Sequence, residues 1–285
     1  MKKLLFQLDT DAIANTFDTV VGYDGGADVV TPIAGMTPEN VGGMVAGAIF
    51  TRGPKDKKHT ALFVSGSDMA KGEALLAAIR KCFFADFRVS VMIDSNGSNT
   101  TAAAAVARIT SHVPGTGRRA VILAGTGPVG QRAAVMLARE GATVALTSRR
   151  LDRAQAAAAH VRQTFGVEVE ALAANDAAST DAALAGAHIV LATGAAGARL
   201  LDEEQWRNHP TLQILVDANA TPPLGIAGID MMDKGKERHG RICYGAIGFG
   251  ALKLEVHRAC IARLFERNDQ VLDAEQIYAL AKERA

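Results

Sequence analysis

The chain has 285 residues and a formal net charge of +1, from 31 Lys and Arg residues against 30 Asp and Glu residues. This length suits one large domain or two modest ones. The near-balance of charge disfavours a bulk electrostatic partner such as nucleic acid or an anionic membrane surface. No apolar stretch is long enough to predict a membrane span. Three scattered cysteines without a Cys-x-x-Cys pair disfavour a disulfide framework and a zinc knuckle, and they fit a reducing compartment. No metal site is predicted.

The first part of the chain alternates short apolar runs with helix-like segments, which is the pattern of a parallel α/β protein. The pair Thr37 and Pro38 predicts a helix start, with Thr as the N-cap and Pro at the first helical position. The predicted strands are 3–8, 61–64 and 89–93, and the predicted helices are 38–51, 69–83 and 99–111.

A turn-rich, charged link at 113–119 predicts a domain boundary. The segments that follow it repeat as strand and helix, so the sequence predicts a second α/β domain with a parallel sheet. The predicted elements are strands at 120–124, 143–147, 167–172, 189–192 and 214–216, with helices at 128–140 and 151–165. Two last helices, at 251–265 and 274–281, either close this domain or return to the first one.

A glycine-rich loop follows the strand at 120–124 and opens the next helix. This context is the one that the dinucleotide-binding pattern G-x-G-x-x-G requires. Gly125 permits a tight turn, Gly127 lets the backbone approach a pyrophosphate, and Gly130 lets the helix pack closely on the strand. Free N–H groups at the helix start then bind the anion. The cofactor-binding residues predicted from this loop are Gly125, Thr126, Gly127, Pro128, Val129 and Gly130.

The end of the strand at 143–147 distinguishes NADP from NAD. An acid at this position hydrogen-bonds the ribose 2′-hydroxyl of NAD, but here the chain has Ser148, Arg149 and Arg150. Guanidinium groups bind phosphate through paired hydrogen bonds, so the sequence favours NADP. Alternatively, one or both arginines are solvated charges at the start of the next helix. Two residues that come after later strands are also assigned to the cofactor site, Thr193 and Asn219.

Three polar segments follow or interrupt the apolar runs of the first part, at 9–11, 23–28 and 94–101. Ligands of open α/β sheets bind outside the carboxyl ends of the strands, and the third segment has the carboxylate, hydroxyl and amide groups that a heterocycle needs. Alternatively, these residues form turns and helix caps. The substrate-binding residues predicted here are Asp9, Asp11, Asp94, Ser95, Asn96, Asn99 and Thr100.

Lys253 follows a second glycine-rich segment, at 245–250. This cation either reaches a ligand-binding cleft or is an exposed lysine on a helix. The seven histidines are scattered, and the sequence shows no evident His–carboxylate pair for proton transfer. His59, His160 and His188 fall at the edges of predicted elements, where structural or exposed roles are typical.

Five blocks of sequence, in this order, closely resemble the NADP-dependent methylenetetrahydromethanopterin dehydrogenases of methylotrophic bacteria. The resemblance covers essentially the whole chain, and only the glycine loop is shared with unrelated enzymes. The blocks are 3–7, 21–28, 94–101, 123–130 and 252–254.

The resemblance implies a Rossmann-like NADP domain at 113–250 and a smaller α/β pterin-binding domain formed by 1–112 with 251–285, with the active site in the cleft between them. It implies a cytoplasmic homotrimer of one-carbon metabolism that oxidises methylenetetrahydromethanopterin and also accepts methylenetetrahydrofolate. Asp94 and Lys253 match positions near the reacting ring, so both are predicted catalytic residues. A distantly related bifunctional folate enzyme carries a Lys four residues after a Tyr for its cyclohydrolase step. Here Ala27 follows Tyr23 at that spacing, which predicts that cyclohydrolase activity is absent.

Other functions stay open on the sequence alone. One is a methylene dehydrogenase specific for the folate carrier, and another is an NADPH-binding regulator without enzymatic activity. A reductase of small hydroxy or amino acids would need a Lys–Asp or His–Asp pair for proton transfer, which the sequence does not show.

Overall fold

The computed structural model describes all residues 1–285, and its internal contacts divide the chain into two compact units. The first unit contains Met1–Thr100 and Leu254–Leu280, and the second contains Thr101–Lys253. Residues 281–285 are divided between them. The boundaries at 100/101 and 253/254 both fall inside long helices. The sequence had predicted them between 112 and 113 and between 250 and 251.

The first unit is built on a parallel sheet with the strand order β12-β4-β3-β1-β2. Every residue of the central strand β3 is buried, as expected for a parallel strand that is covered on both faces. The strands are β1 (Leu4–Asp9), β2 (Val29–Ile33), β3 (Thr60–Ser65), β4 (Ser90–Ile93) and β12 (Val271–Leu272). The helices wholly within this unit are α1 (Thr16–Asp24), α2 (Val41–Phe50) and α3 (Met69–Cys82), and short 3-10 helices lie at Lys57–His59 and Ser95–Gly97.

Three helices contain residues of both units: α4 (Ser98–His112), α9 (Ala246–Leu264) and α10 (Ala274–Lys282). Residues 102–106 of the alanine-rich α4 are all fully buried. A helix that is apolar all round is expected to be buried in this way. No helix of the structure is both long enough and apolar enough to cross a bilayer.

The second unit has a seven-stranded sheet with the order β10-β11-β9-β8-β5-β6-β7. All neighbouring strands are parallel except β10 and β11, which form an antiparallel pair at one edge. The strands are β5 (Arg119–Leu123), β6 (Thr143–Ser148), β7 (Glu170–Ala173), β8 (Ile189–Ala192), β9 (Ile214–Asp217), β10 (Lys234–Arg238) and β11 (Arg241–Tyr244). The helices are α5 (Pro128–Arg139), α6 (Leu151–Phe165), α7 (Ala177–Leu184) and α8 (Glu203–Trp206).

The six parallel strands of the second unit have the order of the Rossmann fold, in which the direction of winding reverses between β5 and β8. Ligands of such sheets bind at this reversal, outside the carboxyl ends of the strands. The predicted α/β class and the Rossmann-like character are therefore confirmed.

Several local predictions were wrong. The helix predicted from Pro38 begins at Val41, because the side chain of Asn40 accepts the backbone N–H of Thr37 and forms a turn before the helix. Residues 23 and 24, predicted to lie in a loop, are the end of α1. The strands β2, β10, β11 and β12 were not predicted.

Candidate functional site

The glycine loop joins β5 to α5 at the reversal of the sheet. The loop is tied to β6 at its start, because the backbone N–H of Gly125 donates to Thr147 O at 3.0 Å and that of Ala124 donates to Thr147 Oγ1 at 3.1 Å. Ala124 has a φ of 51°, a left-handed conformation that costs energy for a residue with a Cβ atom. The surrounding contacts therefore hold this turn in one conformation.

Two of the three glycines are required by the packing of the loop itself. A Cβ atom added to Gly130 would lie 2.5 Å from the Cα of Gly125, and one added to Gly125 would lie 2.6 Å from Leu146 Cδ2. Neither position leaves room for a side chain. Gly130 thus has the packing role that the sequence predicted for it, and Gly125, which was predicted to permit a tight turn, also lacks room for a side chain.

Gly127 is different, because a Cβ atom added there would meet nothing within 4 Å. Its φ of −79° and ψ of 172° are open to any residue, so the conformation does not require glycine either. Gly127 is the N-cap of α5, whose first N–H groups lack partners within the helix. The open space at this position fits a pyrophosphate group held by helix N–H groups.

A cavity of about 860 Å³ lies within the second unit, along the carboxyl ends of its strands. Its lining comes from the glycine loop and from the segments that follow β6, β7 and β8. The polar and glycine residues that line it include Thr126, Gly127, Ser148, Arg149, Arg150, Arg153, Asn175, Asp176, Thr193 and Gly194. This position agrees with the ligand site expected for the fold.

Six of the predicted cofactor-binding residues line this cavity, and five do not. The lining residues are Thr126, Gly127, Ser148, Arg149, Arg150 and Thr193, and the others are Gly125, Pro128, Val129, Gly130 and Asn219. Gly125 and Gly130 pack the loop, and Pro128 and Val129 begin α5.

Asn219 lies in the loop after β9 and bonds within that loop. Its Oδ1 accepts the N–H of Thr221 at 2.9 Å, and its Nδ2 donates to Pro223 O at 3.2 Å. The neighbouring carboxylate of Asp217 accepts backbone N–H groups from Asn219 and Ile226, and burial raises the pKa of Asp217. In this structure both residues shape the loop.

The arginines after β6 are not equivalent. Arg150 donates from Nε and Nη2 to the two carboxylate oxygens of Asp152, at 3.0 and 2.5 Å. The hydrogen bond from Arg150 lowers the pKa of Asp152. Arg149 and Arg153 line the same cavity. Arg153 was not among the predicted cofactor-binding residues, although the sequence places it in the first turn of the predicted helix 151–165.

In the first unit, polar side chains gather at the carboxyl ends of β1, β3 and β4. Asp9 is fully buried and accepts the hydroxyl of Ser65 and the backbone N–H groups of Asp11 and Asn15, each at 2.9 Å. Asp11 accepts the N–H and the hydroxyl of Ser67. These two carboxylates order the loop that follows β1.

Asp94 is fully buried at the end of β4. Its Oδ1 accepts the backbone N–H of Thr100 at 3.0 Å, and its Oδ2 accepts the hydroxyl of Thr100 at 2.5 Å. Asn99 is also buried and donates to Ile93 O, whereas Asn96 is exposed and left-handed, with a φ of 55°. Of the predicted substrate-binding residues in segment 94–101, Asn96 presents an exposed side chain, and Asp94, Ser95, Asn99 and Thr100 are buried.

A histidine that the sequence analysis did not consider lies beside Asp94. His257 of α9 is fully buried, and its Nδ1 is 3.7 Å from Asp94 Oδ2. Its ring packs edge-on against Phe63, with the ring centroids 5.3 Å apart. The sequence shows no sign of this proximity, because Asp94 and His257 are far apart in the chain and come together only in the folded structure.

Lys253 lies in α9, in a half-buried position, and belongs to the second unit, whereas Asp94 belongs to the first. Residues 246–250 of the glycine-rich segment before it form the start of this helix. A Cβ atom on Gly245 or Gly248 would lie 2.2 or 1.8 Å from backbone oxygens of residues 230 and 233. These two glycines are thus explained by packing against that segment. No cluster of three or more His, Cys, Asp or Glu side chains is arranged to hold a metal ion.

The strand order, the glycine loop and the cavity define a dinucleotide-binding Rossmann fold of the kind found in dehydrogenases. A family model described as methylene-tetrahydromethanopterin dehydrogenase, N-terminal, matches residues 16–96. The bifunctional protein MdtA of Methylorubrum extorquens is 56% identical over 286 residues, which cover 100% of this chain and 99% of that protein. The NAD(P)-dependent methylenetetrahydromethanopterin dehydrogenase of the same organism is 30% identical over 94% of both chains. The chain belongs to the methylenetetrahydromethanopterin dehydrogenase family.

The family and the oxidoreductase class that the sequence predicted are thereby confirmed. Among solved structures, quinate dehydrogenase from Corynebacterium glutamicum in complex with NAD matches 98% of both chains with a TM-score of 0.55. Its sequence identity is 14%, so this likeness shows the fold alone.

Proposed function

We propose that this protein transfers a hydride from methylenetetrahydromethanopterin to NADP and so produces the methenyl cation. The observation that carries the proposal is the open space at Gly127, beside the cavity of the second unit. Where the cavity meets the end of β6, it is lined by arginines, and the strand end has no acidic residue that would select the ribose 2′-hydroxyl of NAD. The relative named as an NAD(P)-dependent methylenetetrahydromethanopterin dehydrogenase supports the pterin substrate and a nicotinamide coenzyme.

The reaction requires little acid–base catalysis by the protein. The reacting carbon lies between two nitrogens, whose lone pairs spread the positive charge as the hydride leaves. NADP supplies the hydride acceptor when it is bound, and the protein supplies orientation and electrostatics. The N–H groups beside Gly127 would hold the pyrophosphate of the bound coenzyme, and arginines after β6 would hold its 2′-phosphate. A general base is therefore not required.

We assign the pterin to the first unit and the coenzyme to the second. The polar cluster at the ends of β1, β3 and β4 supports this assignment for the pterin, because it lies at the ligand-binding end of a parallel sheet. Its half-buried Asp11 is a hydrogen-bond acceptor, and its exposed Asn96 has both donor and acceptor groups. Lys253 would hold a polar edge of the substrate. Asp94 would act through its negative charge, which favours a cationic product, and through the loop that it holds.

The role of Asp94 is tested by Asp94→Asn, which keeps an acceptor for Thr100 and removes the charge. We expect kcat/KM to fall by more than about threefold, which corresponds to roughly 0.7 kcal/mol of transition-state stabilisation. Thr100→Val is the matched control, because it removes the hydroxyl that donates to Asp94 and leaves the charge in place. Equal losses in both variants, or a loss below threefold in Asp94→Asn, would contradict an electrostatic role.

The central experiment measures NADPH absorbance in initial-rate assays with each one-carbon carrier. Methylenetetrahydromethanopterin with NADP is expected to give a rate, and methylenetetrahydrofolate is expected to give a second, separate rate. A rate with the folate carrier alone would replace the proposal with a folate-specific dehydrogenase. If NADP is not reduced with either carrier, the proposed activity is wrong.

We also propose a cytoplasmic homotrimer without cyclohydrolase activity. The three free thiols of Cys82, Cys243 and Cys260 support a reducing compartment. Tyr23 lies at the end of α1 with Ala27 four residues later, so the lysine of the cyclohydrolase pattern is missing from that position. Sedimentation of the purified protein tests the trimer. Hydrolysis of the methenyl product at the uncatalysed rate is the expected result for the missing activity.

A further inference from the structure

The cavity of the second unit is lined, just after β6, by more positively charged side chains than are required to neutralise one phosphate group. Arg149, Arg150 and Arg153 all line it within one short segment. Asp152 lies in the same segment and forms a two-point ion pair with Arg150, as described above. The question is which of the three arginines serves the coenzyme.

We propose that Arg149 and Arg153 bind the 2′-phosphate and that Asp152 holds Arg150 away from it. The assignment rests on the proposed binding of NADP. It names Arg153 as a specificity-determining residue and gives Asp152 the role of positioning Arg150.

The charges support this division. A phosphate monoester carries about −1.5 to −2 charges near pH 7. The segment offers three positive charges and one negative charge, and the Arg150–Asp152 pair is neutral as a unit. Arg149 and Arg153 then supply two positive charges, which match the charge of the phosphate.

The geometry of the pair gives the second argument. Arg150 donates hydrogen bonds from Nε and one terminal nitrogen to Asp152. The same two nitrogens would otherwise be available for a two-point contact with a phosphate. An exposed ion pair contributes little to stability, so the pairing alone does not prevent Arg150 from turning. If it did turn, however, Asp152 would be left as an unpaired carboxylate beside the phosphate. The like-charge repulsion favours the arrangement that is observed.

The positions along α6 agree with this reading. Arg150 is the N-cap residue and Arg153 is the third residue of the helix, so the two side chains leave the backbone in different directions. The backbone N–H of Arg150 donates to Ser148 Oγ at 3.3 Å. The hydroxyl hydrogen of Ser148 is then available to donate to the same phosphate.

The experiment measures dissociation constants for NADP and NAD in the full-length protein and its variants by titration. Arg149→Ala and Arg153→Ala are each expected to raise Kd for NADP by about tenfold or more and to leave Kd for NAD within about twofold. The double variant Arg150→Ala with Asp152→Ala removes the neutral pair as a unit and is expected to change Kd for NADP by less than about threefold. Asp152→Asn removes a negative charge and frees Arg150, so it is expected to tighten NADP binding selectively. Arg162→Ala, on the same helix but outside the cavity, controls for a general loss of positive charge.

The outcomes separate the inference from the proposed function. If the double variant Arg150→Ala with Asp152→Ala loses as much NADP affinity as Arg149→Ala, or if Arg153→Ala binds NADP like the wild type, the assignment is wrong although the protein still binds NADP. If Asp152→Asn weakens NADP binding, its positioning role is wrong. A wild-type protein that binds neither nucleotide would instead defeat the proposed function itself.

Discussion

The Gly127→Ala variant is expected to be as stable as the wild type and to bind NADP about tenfold or more weakly, a difference of about 1.4 kcal/mol or more. A methyl group at this position meets no atom of the protein within 4 Å, and the backbone conformation there suits any residue. The methyl group would instead occupy the space in which a pyrophosphate has to approach the helix N–H groups. Thermal unfolding and NADP titration of the same preparation check both halves of the prediction.

Two other glycines serve as controls for this result. Gly130→Ala forces a Cβ atom against the backbone of Gly125, so it is expected to lower the unfolding temperature as well as the affinity. Gly43→Ala, in α2 of the other unit, also meets nothing within 4 Å and is expected to leave NADP affinity unchanged. Unaltered NADP affinity in Gly127→Ala would mean that the coenzyme does not pass this point of the loop.

The Trp206→Ala variant is expected to lose about 3–5 kcal/mol of unfolding free energy. Trp206 has no exposed surface and lies in a core cluster with Leu201, Leu212 and Ile226. Its Nε1 donates to Ala227 O at 2.9 Å, so the substitution also leaves a carbonyl without its partner. Chemical unfolding followed by circular dichroism measures the loss, because Trp206 is the one tryptophan of the chain and cannot serve as the probe.

Trp206→Phe is the matched control for the volume of the side chain. It keeps most of the apolar contact and removes the hydrogen bond, so its loss is expected to be about 1–3 kcal/mol. Leu201 pairs with Ile226 in an isolated bridge and also lines the cavity. We therefore expect Trp206→Ala to weaken NADP binding too. A loss below about 1 kcal/mol in Trp206→Ala would show that the cluster can repack around the gap.

The parts that the sequence predicted well depend on local patterns. The strand–loop–helix unit around Gly125 is defined by three elements in direct succession, and each glycine has its own steric or ligand-related reason. The central strands were recognised because parallel strands covered on both faces read as short apolar runs. The family resemblance rested on several such local blocks.

The parts that the sequence missed depend on contacts between distant residues. Nothing in segment 94–101 shows that Asp94 would be fully buried and would bond Thr100, because a polar loop and a buried cap have the same composition. His257 meets Asp94 only when α9 packs beside β4. Arg150 and Asp152 are near each other in sequence, but only the side-chain rotamers in the structure show that they form an ion pair.

The return of the chain to the first sheet affects how the protein is made. Strand β12 completes that sheet by pairing with β4, yet it leaves the ribosome only after residues 101–253 of the second unit. Until then β4 has an open edge, and unpaired edges attract other chains. Premature termination after residue 253 would therefore harm the first unit, whose own early residues are intact, more than the second.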